Sequence, residues 1–412
     1  MKTVSQVLGS LAVAAALFLP AQAEPTSFDS LLQQGQVSLA KSTLEKDLLA
    51  HPGDHRLRFQ LGLSHFLAAS ESCSQSMYRL GLEPSQVGQL VGILHLPVGI
   101  NPEPQPVSNQ SLRKVLADFK DGLDSTSQIL AGIPDGSDVK FPVKIGQIRL
   151  DLNGDGQCSL EESFGRVLDR MTGIAYATDA PPLGELEGHF DVADARWLEG
   201  YCHLVSGLLE IVLAYDTQKL FDHGAHLLFA RPESGYPFLT TGQGSDWGFV
   251  DFAALAHSID LPLLEPARLK ASLAHFQQVT ALSRRCWSCI LAERDDDLEW
   301  LPGPTQHSFW QRATVTPEMV TSWQEFLDEA DLILEGKRLL PFWRTLKGFE
   351  AQRGVNLRRV FLEPTRLDAV YWLQGTAAVP YLESGSLTDE KFWNDLSRVF
   401  RGNFFGFAIW FN

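Results

Sequence analysis

Between Asp151 and Glu162 the chain reads DLNGDGQCSLEE, a stretch in which oxygen donors recur at regular intervals. Counted from Asp151, donors fall at positions 1, 3, 5, 7, 9 and 12: Asp151, Asn153, Asp155, the backbone carbonyl of Gln157, Ser159 (directly or through water) and Glu162. Gly156 occupies position 6, where the chain must turn through a conformation that a Cβ disfavours. An all-oxygen set with a bidentate carboxylate at its end suits a hard cation that takes about seven oxygens, which is calcium. Magnesium, which requires a compact octahedron, fits less well. From average residue frequencies, a match this complete arises by accident roughly once per thousand chains of this length.

These residues resemble the EF-hand calcium loop, and the resemblance extends to about thirty residues if the flanks are helical. The apolar residues Phe141, Ile145, Ile148 and Leu152 predict an entering helix with Pro142 in its first turn. Leu160, Phe164, Val167, Leu168 and Met171 predict an exiting helix capped by Ser159. Two features depart from the EF-hand pattern. Position 8, usually a branched aliphatic, is Cys158, and no second loop occurs: Glu293 to Glu299, ERDDDLE, is acidic but lacks the glycine and the alternation. EF-hands normally switch in pairs, so a lone loop implies a structural calcium and not a sensor. Extracellular calcium would fill it at a dissociation constant on the order of 0.1 to 1 mM.

Other chemistry-bearing residues give weaker patterns. Cys286 and Cys289 have the spacing of a redox or zinc pair, but they fall inside one long predicted helix, about Ala267 to Ala292, and no second pair completes a four-thiolate site. Cys73, Cys158 and Cys202 complete an odd set of five, which leaves at least one thiol without an intrachain partner. His203, one turn after Glu199, reads as a core histidine bonded to a neighbour. Asp222, His223 and His226 form a compact polar group that could offer two ligands from one turn, without a third. The Gly-rich stretch from Pro232 to Gly248 lacks the features of a phosphate loop, and neither GxSxG nor HExxH occurs. Ser38 and Lys41 match SxxK without companion motifs, with the Ser in mid-helix.

The elements that must position these residues are helical. From Ser27 to Ser70, Gly35, Ala40 and Pro52 fall where two helices touch and the second ends, and Leu61-Gly62 opens another. This is similar to the tetratricopeptide repeat over about one and a half copies, too few to stand alone, which implies a hairpin docked on its neighbour. A Pro-rich passage, Pro102 to Pro106, follows as linker or loop. Apolar stripes then predict helices over Leu112–Leu130, Ala193–Tyr215 (Trp197, Tyr201, Leu204, Leu208, Ile211, with Asp191 or Asp194 as cap), from Thr316-Pro317 to Gly336, and Asp389–Arg401. The aromatic end, FFGFAIWFN, reads as a buried closing segment.

Composition is that of a globular protein, 44% hydrophobic and 20% charged, and the net charge of -16 excludes an electrostatic grip on nucleic acid or anionic lipid. Lys2, the apolar run Val7–Leu19 and Ala21-Gln22-Ala23 have the layout of a signal peptide cleaved after Ala23, and no later segment reads as long and apolar enough to span a bilayer. The sequence thus predicts a mainly α protein, secreted or periplasmic: signal peptide 1–23, repeat-like helical region 24–100, linker 101–111, and an α-helical domain 112–412 carrying the loop. The expected function is calcium binding in a structural or protein-interaction role, with a protein or peptide partner through the N-terminal helices. The alternative is an extracytoplasmic enzyme, such as a hydrolase, working through His203, His223 and His226.

Overall fold

The computed structural model describes residues 27–83, 98–167, 186–241, 248–308, 314–344 and 353–411; the expected leader, and the part of the expected exiting helix beyond Val167, lie outside them. The described chain is mainly helical, with short strands. α1 (Phe28–Gln33), α2 (Val37–Ala50) and α3 (His55–Arg79) open it. α2 stops just before Pro52, and Asp54 caps α3 by accepting from Leu57 N. α3 is one continuous helix, so Leu61 and Gly62 lie inside it and do not start another. Gly62 is there because α4 (Asn109–Leu130) crosses closely: a Cβ at this position would come within 2.5 Å of the Leu130 side chain.

α5 (Val192–Ala214) and α9 (Pro266–Ala292) pack along one another, and α4 lies against α5. Between them in sequence are α6 (Gln218–Gly224), α7 (Phe238–Thr241) and α8 (Gly248–His257). The helices α10 (Pro317–Leu334), α11 (Leu357–Leu362), α12 (Ala369–Gln374), α13 (Glu390–Val399) and α14 (Phe404–Phe411) complete the chain. One hydrophobic cluster runs from Leu31 and Phe59 through Leu123 and Phe141 to Leu198 and Cys202, so the N-terminal helices share a core with α4 and α5. A second gathers Trp287, Trp323, Phe400 and Phe411. Phe411 is held in it by polar bonds too, since Trp287 Nε1 and Ser283 Oγ both donate to its carbonyl at 3.2 and 3.0 Å.

The helix expected over Phe141–Leu152 does not form. Lys140–Val143 is strand β1, paired antiparallel with β2 (Gly188–Asp191) so that Lys140 faces Asp191, and Ile145–Gln147 is a single 3-10 turn. Phe141 and Val143 are buried while Lys140 and Pro142 are exposed. This period of two, with a strand partner almost fifty residues away, overrides the helical spacing. The expectation of no apolar spanning segment also needs correction: α5 has the length and composition of a bilayer span, although half of its most apolar window is buried within the fold. Its buried Arg196 and Glu199 form an ion pair at 2.6 Å, as suits a core helix.

Candidate functional site

The twelve residues from Asp151 form a loop closed at its base by an antiparallel bridge between Arg149 and Ser163, with Phe164 N donating to Ile148 O at 2.7 Å. Within it, the side chains at positions 1, 3 and 5 turn forward onto loop amides. Asp151 Oδ1 accepts from Gly154 N (2.7 Å) and Asp155 N (3.2 Å), and its Oδ2 accepts from Gly156 N (2.9 Å). Asn153 Oδ1 accepts from Asp155 N at 2.8 Å, and Asp155 Oδ1 from Gln157 N at 2.7 Å. Gly154 and Gly156 have φ of 77° and 78°, the left-handed region that only glycine enters at little cost. The loop's curvature is therefore built into its sequence, and each carboxylate keeps lone pairs beyond those the amides use.

Glu162 closes the loop from the other end. Its Oε1 accepts from Leu152 N at 3.0 Å, and its Oε2 from Ser159 N and Oγ at 2.9 and 2.8 Å. Ser159 and Glu162 thus make a reciprocal cap on a 3-10 turn, Leu160–Glu162. This turn replaces the start of the expected exiting helix: Leu160, assigned to its apolar stripe, is exposed, and helical residues begin at Phe164. Glu162 would have to trade these cap bonds for an ion.

Two residues that no local motif could identify come from α3. Glu71 Oε1 accepts from Asp151 N at 2.7 Å, and Gln75 Nε2 donates to the Asp151 carbonyl at 2.8 Å. Burial, and then the Asp151 and Glu162 carboxylates, push the Glu71 carboxyl upward against the pull of the Asp151 N–H. Glu71 thus adds a fourth carboxyl to Asp151, Asp155 and Glu162. The loop also reaches the α1–α2 turn: Arg149 N donates to Leu32 O at 3.0 Å, and Cys158 Sγ lies 3.7 Å from Gly35 O.

The histidines fall in different settings. His203 Nδ1 lies 2.8 Å from His275 Nδ1 across the α5–α9 contact, one ring donating to the other. Burial, with the neighbouring His275, brings the His203 pKa down to about 4. Glu199, one turn earlier, pairs instead with Arg196. His223 stacks on Tyr236 with ring centroids 4.8 Å apart. His226 Nε2 is 3.5 Å from Asp251 Oδ2. Cys286 and Cys289 lie in α9 as free thiols, burial raising both, Cys289 to about 11.

The acidic run from Glu293 has a different neighbourhood from the one its spacing suggests. One carboxylate oxygen from each of Asp191, Glu293 and Glu299 lies within 4.8 Å of the others. Asp191 N-caps α5, accepting from Ala193 N at 2.7 Å, while Asp194 Oδ2 accepts from Asp191 N at 2.9 Å. Gln306 Nε2 donates to Glu293 at 2.9 Å. Lys140 pairs with Asp295 and, at 2.6 Å, with Asp297. Burial, reinforced by mutual repulsion, lifts Asp194 far up, Glu293 to about 7 and Glu299 to about 9. Comparison with protein-family models, curated proteins and solved structures finds no match to this chain.

Proposed function

We propose that the protein is an extracytoplasmic calcium-binding protein, the loop Asp151–Glu162 holding a structural ion. The observation that carries this is the forward bonding of Asp151, Asn153 and Asp155 onto the amides of residues 154–157, which fixes three oxygen donors on one tight turn. Glu71 from α3 increases the negative charge, while Arg166 pairs at 3.8 Å with Glu161, a loop carboxylate outside the proposed ligand set. A divalent cation here would relieve repulsion among Asp151, Asp155, Glu162 and Glu71. Because the same turn touches α3 and the α1–α2 turn, the ion would fasten the N-terminal helical hairpin to the rest of the fold. Secretion rests on the leader-like first 23 residues. The groove between α3 and α4, lined by Lys41, His65, Ser72, Cys73, Asp118 and Asp121, is the surface we assign to a protein or peptide partner.

The test is calorimetric titration of the EDTA-stripped mature protein with calcium. Glu162→Gln should weaken binding much more than Ser159→Ala, whose place water can take, and Asp151→Ala should remove the site. Equal effects of Glu162→Gln and Ser159→Ala would refute the proposed coordination.

A further inference from the structure

We propose that the apolar face built by α8 and α12 is the contact through which two copies of this chain pair. Large apolar side chains exposed singly are ordinary, but here they gather on adjoining elements. α8 exposes Val250 and Phe252, and α12 exposes Val370, Tyr371 and Leu373, the last 79% open to solvent. Trp343, itself 53% exposed, joins them by donating from Nε1 to the Leu373 carbonyl at 3.1 Å. α8 lies against α12, and the two are tied together: Asp260 and Leu261, just after α8, pair antiparallel with Asp368 and Leu367, just before α12. α12 is held at both ends, by Asp368, which accepts from Tyr371 N at 3.0 Å, and by Gly375, which stops it at φ 104°. Trp372 is anchored by stacking on the buried Tyr381 ring at 5.9 Å, while Tyr371 and Leu373 on either side of it stay in solvent. The face is therefore ordered before a partner arrives, which lowers the cost of binding.

Size and charge select a second copy as the occupant. At about 150–250 Å² for a whole aromatic side chain, these six side chains leave roughly 600 Å² of surface in water. An interface of standard size takes about 800 Å² from each partner, a little over half of it apolar. The face thus holds the apolar share on its own. A chain of net charge -16 repels its own copies, yet from Ala369 to Leu382 it carries no charged residue. The carboxylates at the border are engaged: Asp251 lies 3.5 Å from His226, and Asp260 is bound by Arg366 and, at 3.5 Å, by Lys219. Two copies can therefore meet here without bringing their acidic surfaces together. A basic partner would be drawn to those acidic surfaces instead. Two-fold pairing presents the same patch from both copies, so a substitution in it acts twice.

The experiment is sedimentation equilibrium of the full mature chain. A dimer is expected within a range of about 1–100 μM, and added salt should strengthen it, since the charges only oppose association. Leu373→Glu should weaken it by about thirtyfold or more, and Phe252→Glu, on the other helix, should do the same. Tyr371→Glu serves where either of these does not fold. Leu49→Glu, at an 85% exposed position on α2, should leave the dimer intact. A wild type that stays monomeric throughout the range overturns the proposal, as does a dimer that ignores the substitutions on α8 and α12. A monomer that binds phosphatidylcholine vesicles, and loses that binding with Leu373→Glu, would give the face to a lipid surface and overturn it equally.

Discussion

Replacing Asp151 with Ala tests the loop by stability as well as by binding, and the structure sets the size of both effects. Without metal the substitution removes three acceptor contacts, from Gly154, Asp155 and Gly156 N at 2.7, 3.2 and 2.9 Å. Those amides are exposed and can turn to water, so the three together should cost about 1–2 kcal/mol. With metal a second term enters, because an ion bound only by the folded chain stabilises it by mass action. At 100 times the dissociation constant, about 10 mM calcium for a site of 0.1 mM, that term is about 2.7 kcal/mol. Urea unfolding in EDTA and in calcium, followed by far-ultraviolet circular dichroism, separates the two. The wild type should gain about 2.7 kcal/mol more from calcium than Asp151→Ala does. Equal increments in the wild type and Asp151→Ala would refute the reasoning, whatever the metal-free difference.

Two further substitutions probe the α5–α9 contact and the contact of the N-terminal hairpin with the loop. His203, with its folded pKa down at about 4, binds its proton more readily when unfolded, near pH 6.5. Its contribution is therefore complete above pH 6.5 and is lost as pH falls through that value toward about 4. Discounting for partial exposure, the loss at pH 5 should be about 1–2 kcal/mol; urea melts at pH 7 and 5 check this, and His203→Gln should flatten the difference. Gly35 sits at φ 69°, and a Cβ there would collide with the Cys158 side chain. Gly35→Ala should destabilise by about 1–3 kcal/mol and also weaken calcium binding, since the obstacle belongs to the loop. Unchanged calcium affinity in a folded Gly35→Ala protein would disconnect the hairpin from the site.

Much of the helical framework was legible because its signals are local. The stripe of Leu112, Val115, Phe119 and Leu123 became α4, Asp191 and Asp194 became the reciprocal cap of α5, and Thr316-Pro317 with Gly336 bracketed α10. What failed was decided at a distance. Phe141, Ile145 and Ile148 have helical spacing, yet pairing with Gly188–Asp191 imposed a strand, and Pro142 and Gly146 gave the helix little to oppose it. Glu71 and Gln75 were invisible because α3 lies eighty residues before the loop in sequence. The carboxyls of Glu293 and Glu299 meet that of Asp191, a neighbour that the run's own sequence could not show.

The two acidic centres share a chain segment, and this bears on why a protein of net charge -16 concentrates carboxylates where they repel. Lys140 begins the segment beside Asp295 and Asp297, and Arg149 to Asp151 ends it against Leu32, Glu71 and Gln75. Between them Phe141, Val143, Ile145 and Ile148 lie in the core that includes α3 and α5. At the first end the Lys140 ammonium offsets the repulsion; at the second a calcium ion in the loop would do so, in a compartment rich in divalent cations. In a medium poor in calcium the same carboxylates would oppose docking of the N-terminal helices. On this reasoning the proposed extracellular setting and the proposed loop site are one argument: the fold would be strongest where the cation concentration is high. Chelation should therefore loosen the contacts of α1–α3 with the loop before it disturbs the aromatic core around Trp287 and Trp323, which both pack on the Phe411 ring.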